Sequence, residues 1–250
     1  MYGSFLFYQL YINSDRTHTE RTLKKVEAMG FHAVFVTVDA PKLGRREKDM
    51  RSKFQGALPA IHADKTDTNR NDGIAMALNT FIAANVTWDD IVWVKKTVPK
   101  MKVVLKGVQR GDDAIKAIEV GCDGILLSNH GGRQVDGCRS AVEVLVEVAA
   151  TLRGRGLMEK VELYVDGGIR RGNDIAKCLA LGARAVGVGR PVVYGLAAFG
   201  QAGAEKAIQI FKAELQNTMG LLGARNVHEV TPDMLCERYG NSVVNVISRL

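Results

Sequence analysis

Short apolar runs rich in β-branched residues recur along the chain, each closing on a polar or glycine-containing turn. They fall at Phe5–Ile12, Ala33–Val38, Val103–Leu105, Gly124–Leu127, Val161–Val165 and Ala185–Val188. Runs that are apolar throughout, rather than alternating, are what strands covered on both faces of a parallel sheet require. Segments of helical period lie between them. Thr19–Met29 carries Leu23, Val26 and Met29 on one face, and Trp88–Val98 opens after Thr87 with Asp90 three residues on, the pattern of a capping box. Asp112–Val120, Ala141–Leu152, Asp174–Leu181 and a long tail over Leu196–Leu222 repeat the theme. Strand–helix alternation of this kind predicts an α/β fold, a parallel sheet wrapped by helices.

One stretch breaks the rhythm. From Gly44 to Gly73 the chain is polar and weakly periodic, too long for an ordinary strand-to-helix connection, and it reads as a mobile loop within a single domain over 1–250. The remaining polar groups of note gather at the C-terminal ends of the strands, where α/β enzymes build their sites. In order these are Gln9 and Tyr11; Thr37 and Asp39; Lys106; Ser128, His130 and Arg133; Asp166, Gly167, Gly168 and Arg170; Gly189 and Arg190. Six consecutive strands ending in chemically useful groups exceed what capping and loop formation alone would supply.

Composition narrows the function classes. No apolar run reaches the length of about 18 residues that a membrane-spanning helix needs. Met1 to Ile12 lacks a basic region and a small-residue cleavage site, so it reads as a strand, and no targeting segment is expected in this chain. The net charge of +7 is spread out, and its densest stretch (Lys42, Arg45, Arg46, Lys48, Arg51, Lys53) is interrupted by Glu47 and Asp49 without interleaved aromatics. Nucleic acid is therefore not expected as a partner, whereas small anions suit a basic protein. Cys122, Cys138, Cys178 and Cys236 form no C-x-x-C pair, so reduced thiols are expected and no metal site.

Two constellations carry chemistry. Asp166-Gly-Gly-Ile-Arg170 follows one strand and Gly189-Arg-Pro191 the next. Glycine turns let backbone N–H groups approach an anion, and loops after the last two strands of a (β/α)8 barrel commonly hold phosphate. Arg170 and Arg190 could add charge-assisted contacts. The second is Ser128-Asn-His-Gly-Gly-Arg-Gln134. His130 sits directly after a buried strand and before a glycine pair, which predicts a ring exposed in a cleft. His18, His32, His62 and His228 have no such setting. Arg133 could fix a substrate carboxylate while His130 takes a proton, and Asp39 could orient the imidazole and stabilise its charged form.

This second motif resembles the active-site signature of the FMN-dependent 2-hydroxy-acid dehydrogenases, the family of the flavocytochrome b2 (L-lactate dehydrogenase, cytochrome) and glycolate oxidase types. Further matches fall in the family's order: Gln9-Leu-Tyr11, Thr37-Val-Asp-Ala-Pro41, Leu43-Gly-Arg-Arg-Glu47, Leu105-Lys-Gly107, Asp166–Arg170 and Gly189–Pro191. The resemblance runs from about Phe5 to the C-terminus, and Phe35 to Phe54 is most similar to the fungal flavocytochrome b2 type.

The resemblance implies a (β/α)8 TIM barrel that binds FMN and oxidises an L-2-hydroxy acid, L-lactate or glycolate, to the 2-keto acid. By position, Gln9, Thr37, Lys106 and Ser128 match residues holding the flavin ring, with Lys106 stabilising its anionic reduced form. Asp166, Gly167, Gly168, Ile169, Arg170, Gly189 and Arg190 match the ribityl and phosphate cradle. His130 matches the catalytic base, Asp39 its partner, Arg133 and Arg46 the carboxylate clamps, and Tyr11 a tyrosine that hydrogen-bonds the substrate. The family also suggests oxygen or cytochrome c as electron acceptor, a homo-oligomer (a tetramer), and a mitochondrial, cytoplasmic or peroxisomal setting. In the family Gln-Leu-Tyr belongs to the third strand, so about six βα units are expected here, with the first two and any haem domain missing. The alternatives are an inactive truncated remnant of such an enzyme, or another FMN- or phosphate-binding barrel.

Overall fold

A computed structural model of the chain describes residues 5–44, 46–47, 51, 81–239 and 242–245. Six strands, β1 (Phe7–Leu10), β2 (Ala33–Thr37), β3 (Lys102–Val108), β4 (Gly124–Leu127), β5 (Glu162–Asp166) and β6 (Ala185–Gly187), form one sheet in sequence order. Every neighbouring pair is parallel. The helices between and after them are α1 (Arg16–Ala28), α2 (Trp88–Thr97), α3 (Gly111–Glu119), α4 (Ala141–Gly154), α5 (Gly172–Ala180) and α6 (Arg190–Leu222). A small antiparallel hairpin, β7 (Cys236–Tyr239) and β8 (Ser242–Asn245), follows. Successive parallel strands need crossovers, and helices supply them here. The result is the wall of a (β/α)8 barrel, six βα units of it, with β1 and β6 as the sheet's two edges among the described residues.

Local sequence explains three of the helices. Ser140 caps α4, its hydroxyl accepting from the Glu143 N–H at 3.3 Å while Glu143 accepts from the Ser140 N–H at 2.7 Å. Ala141, Val144, Leu145, Val148, Ala149 and Leu152 then recur on one buried face of the same helix. At α2 the Thr87 N–H donates to Asp90 at 2.9 Å, as the capping pattern predicts. On α1 the expected face is only partly found: Leu23 and Val26 are buried, but Met29 is the C-cap and 62% exposed. Thr19 takes the third buried position one turn earlier, with its hydroxyl accepting from the Asn13 N–H.

The core lies between the sheet's outer face and the helices, with Val34, Val36, Val103, Leu105, Ile125, Leu127, Leu163 and Val165 facing Leu23, Val94, Val144, Val148 and Leu152. On the inner face Phe35 stands between Phe7 and Tyr164, with ring centroids 5.5 and 5.9 Å away. The final helix begins earlier than its periodicity suggests, at Arg190, and is kinked at Phe199–Gly200. Of the polar segment from Gly44 to Gly73, only Gly44, Arg46, Glu47 and Arg51 belong to the described residues, and His62 lies outside them. No helix among the described residues is long and apolar enough to cross a membrane.

Candidate active site

The C-terminal ends of β3 to β6 surround a cavity of about 840 Å³. Its walls include Lys106, His130, Arg133, Asp166–Arg170, Gly189 and Arg190. Ten of the sixteen site residues expected from sequence therefore meet at one opening. The other six reach it through hydrogen bonds, described below, or stand beside it.

The β2 and β4 ends bring the acid–base groups together. Nδ1 of His130 lies 2.9 Å from Oδ1 of Asp39, and Nε2 lies 3.2 Å from the Tyr11 hydroxyl. With both nitrogens engaged, the ring lies in the cleft wall with its side chain only 13% exposed, rather than standing open in the cleft as its sequence setting suggests. Backbone geometry supports the placement: His130 is the one non-glycine among the described residues with positive φ (57°). Such a conformation persists where surrounding structure imposes it, often at functional sites. Here the Ser128 hydroxyl accepts from the His130 N–H at 3.0 Å, and the Asn129 side chain accepts from the Gly132 N–H at 3.0 Å. Gly107 makes room for the acid: with φ of 104°, any Cβ there would sit 2.5 Å from Cβ of Asp39.

Tyr11 has its hydroxyl pKa pushed up by burial and further by Asp39, against opposing pulls from Arg46 and Arg133. It therefore stays a phenol, able to donate to the imidazole or to a substrate oxygen. Arg133 is exposed in the cleft wall, and Arg46 lies against Gln134 at 3.4 Å.

A second group sits deeper. Lys106 donates to the buried Ser128 hydroxyl at 3.0 Å and stands 3.6 Å from Oδ2 of Asp166. Gln9, on the edge strand, donates to the buried Thr37 hydroxyl at 2.8 Å. Asp166 opens the glycine turn, in which Gly167 and Gly168 have φ of 89° and 79°. The side chain of Ile169 points away into the core, so only its backbone serves the turn. Arg170 is exposed at the mouth, whereas Nη2 of Arg190 donates to the Gly131 carbonyl at 2.6 Å and so braces the histidine loop.

Two features fit this cleft to FMN. Oδ1 of Asp166 is buried with no hydrogen-bond partner, a position where a ribityl hydroxyl could donate. Beyond it, nothing lies within 4 Å of where a Cβ would stand on Gly168 or Gly189, leaving their backbone open to an anion between Arg170 and Arg190.

Some contributors were not evident from sequence. Gln109 donates to the Ser128 carbonyl, and Arg139 donates to the Gln109 carbonyl and pairs with Glu147. Gln109 lies three residues past Lys106 at the end of β3, so strand-end position was its available signal. Gln134 closes the histidine motif, and its four partners are all distant in sequence.

Comparison with known proteins places the chain in a family. The chain is 47% identical over 236 residues to an L-lactate dehydrogenase (cytochrome) of Wickerhamomyces anomalus, covering 94% of this chain and 41% of the relative. It is 41% identical over 230 residues to the mouse 2-hydroxyacid oxidase 1, covering 88% of this chain and 60% of that protein. A solved flavocytochrome b2 double mutant with pyruvate bound superposes with a TM-score of 0.82 at 46% identity, over 94% of this chain and 55% of that one. The chain thus spans less than two thirds of the length of each. With the FMN-dependent dehydrogenase family matching residues 3–237, the chain belongs to that FMN-dependent family of oxidoreductases.

Proposed function

We propose that this cleft oxidises a small L-2-hydroxy acid, L-lactate first, to its 2-keto acid. The observation that carries the reading is the imidazole of His130, held by Asp39 on one nitrogen and facing Tyr11 with the other, at the opening that also contains Arg133 and the glycine cradle. Asp39 accepts from Nδ1–H, which leaves the Nε2 lone pair toward the cleft as the proton acceptor. Arg133 and Arg46 bind the carboxylate, and Arg133 can do so with a forked guanidinium contact that also fixes which face of the α-carbon is presented. Tyr11 donates to the substrate's hydroxyl oxygen. When the proton leaves, the positive charge gained by His130 lies beside the Asp39 carboxylate, which stabilises it.

FMN, when bound, supplies the two-electron acceptor. Gln9, Thr37, Lys106 and Ser128 would hold its ring, and Asp166–Arg170 with Gly189 and Arg190 its ribityl phosphate. Lys106 would offer a cation to the negative charge that the ring gains on reduction. The names of similar proteins favour lactate and a cytochrome acceptor over glycolate and oxygen, because the lactate dehydrogenase (cytochrome) relative is more similar than the 2-hydroxyacid oxidase, at 47% against 41% identity.

The test is steady-state turnover of the chain with excess FMN, offering L-lactate, glycolate and D-lactate in turn, with cytochrome c or oxygen as acceptor. Pyruvate from L-lactate at the highest rate, and none from D-lactate, is expected. Equal rates for the two lactate enantiomers, or no keto acid from any substrate, would remove the proposal.

A further inference from the structure

We infer that Gln134 is a positioning residue: its single side-chain amide ties Asp39, Lys42, Gly44 and Arg46 to the loop that carries His130 and Arg133. The inference rests on the proposed function and deepens it, since one amide would then set both the proton acceptor's partner and one carboxylate clamp.

A primary amide has two N–H donors and an oxygen with two lone pairs, and here all four are used. Nε2 donates to the carbonyls of Asp39 and Lys42, each at 2.9 Å. Oε1 accepts from the Gly44 N–H at 3.1 Å and from Nη2 of Arg46 at 3.4 Å. Rotating the amide by half a turn would oppose donors to donors and oxygen to carbonyls at every contact, so the network admits one orientation.

A second observation is independent of that amide. Any Cβ on Gly44 would stand 2.5 Å from the carbonyl oxygens of Arg133 and Gln134 and 2.8 Å from Cα of Gln134. The chain at Gly44 therefore lies flush on the backbone of the histidine loop, and no larger residue fits without parting them. Asp39 itself is caught on the other side by Gly107, so its carboxylate has little freedom once Gln134 holds its carbonyl. The four partners of this amide are Asp39, Lys42, Gly44 and Arg46, and none belongs to the glycine turn of Asp166–Arg170. Its loss should thus misplace Asp39 and Arg46 while sparing the cradle.

The experiment uses three variants of the full chain. Gln134→Glu keeps the shape and both accepting contacts but sets an oxygen against the Asp39 and Lys42 carbonyls. Gln134→Ala removes all four bonds, and Gly44→Ala pushes the two segments apart from the opposite side. The first readouts need no turnover. They are the downfield proton resonance of the His130 Nδ1–H bound to Asp39, and the hydrogen exchange of the Gly44 amide. In Gln134→Glu and Gly44→Ala the resonance should move upfield or vanish. Loss of one net hydrogen bond in Gln134→Ala should speed Gly44 exchange about tenfold. With L-lactate, KM should rise and kcat fall together, while FMN affinity stays as in the wild type.

An unchanged His130 resonance in both Gln134→Glu and Gly44→Ala would overturn the inference. Equal loss of FMN binding and of far-ultraviolet ellipticity in Gln134→Glu would also overturn it, because Gln134 would then merely hold the fold. Absence of turnover in the wild type would count against the proposed function alone, and the resonance would still decide this one.

Discussion

Two clusters of charge sit at opposite ends of the same strands and are built on opposite terms. At the N-terminal ends of β3 and β4, Asp123 accepts from Lys102 on one oxygen and from Lys95 and the Val103 N–H on the other, each at 3.0 Å. Lys95 also donates to the Gly121 carbonyl. Nothing in that cluster asks for a further partner. At the C-terminal ends, Asp39 and Asp166 each have one oxygen engaged and one buried without a hydrogen-bond partner. A buried acceptor left unmet costs about 1–3 kcal/mol, so folding alone would not favour two of them. The lower cluster fastens the sheet, and the upper one keeps capacity for something that arrives. This is the division expected of a barrel wall, with stability at one end of the strands and chemistry at the other.

The contrast can be broken from either end. The largest effect should come from the top. His130→Gln keeps a polar side chain of similar reach but no proton acceptor, and should slow L-lactate oxidation about 100- to 10,000-fold. Melting temperature and FMN affinity should hardly move. A steady-state rate beside a thermal melt checks both halves, and a large drop in melting temperature would place His130 with the stabilising groups.

The bottom should behave in reverse. Asp123→Ala leaves the Val103 N–H without its acceptor and unties Lys95 and the largely exposed Lys102, and should cost about 2–3 kcal/mol of stability. That corresponds to roughly 4–12 °C in melting temperature for a domain of this size. The turnover of molecules still folded should be unaffected. Acid adds a finer test. Burial works to raise the Asp123 pKa, but hydrogen bonds from Val103, Lys95 and Lys102 outweigh it and leave the carboxyl below its ordinary value. A carboxylate depressed in the folded state contributes stability that is complete above its unfolded pKa, about 3.9, and is lost as pH falls through the lower folded value. Denaturant melts across that acid range should show a larger loss in the wild type than in Asp123→Ala, where Asp90, Glu143 and Glu147 still contribute.

The reach of the sequence differs between these ends for physical reasons. The central strands were legible because their positions facing the helices are buried and apolar, although β3 runs from Lys102 to Val108, longer than its apolar centre. The more exposed edge strands β1 and β6 were legible from their short apolar runs alone. The upper site was legible because glycine turns and polar residues directly follow those runs. Two elements were misjudged. The last helix was expected from Leu196, yet proline is tolerated in a helix's first turn, and α6 starts at Arg190 with Pro191 and Gly195 inside it. The hairpin of Cys236–Tyr239 and Ser242–Asn245 is too short to leave a periodic trace. The Asp123 cluster and the bonds of Gln134 were invisible, since each joins residues far apart in sequence whose types are ordinary on any surface.

The most direct test of the account is a single turnover. The chain, loaded with excess FMN and freed of oxygen, is mixed with L-lactate while flavin absorbance is followed, and pyruvate is then assayed. The account predicts bleaching of the bound flavin with one pyruvate formed per flavin reduced. Bound flavin that stays yellow in the presence of saturating L-lactate would contradict it.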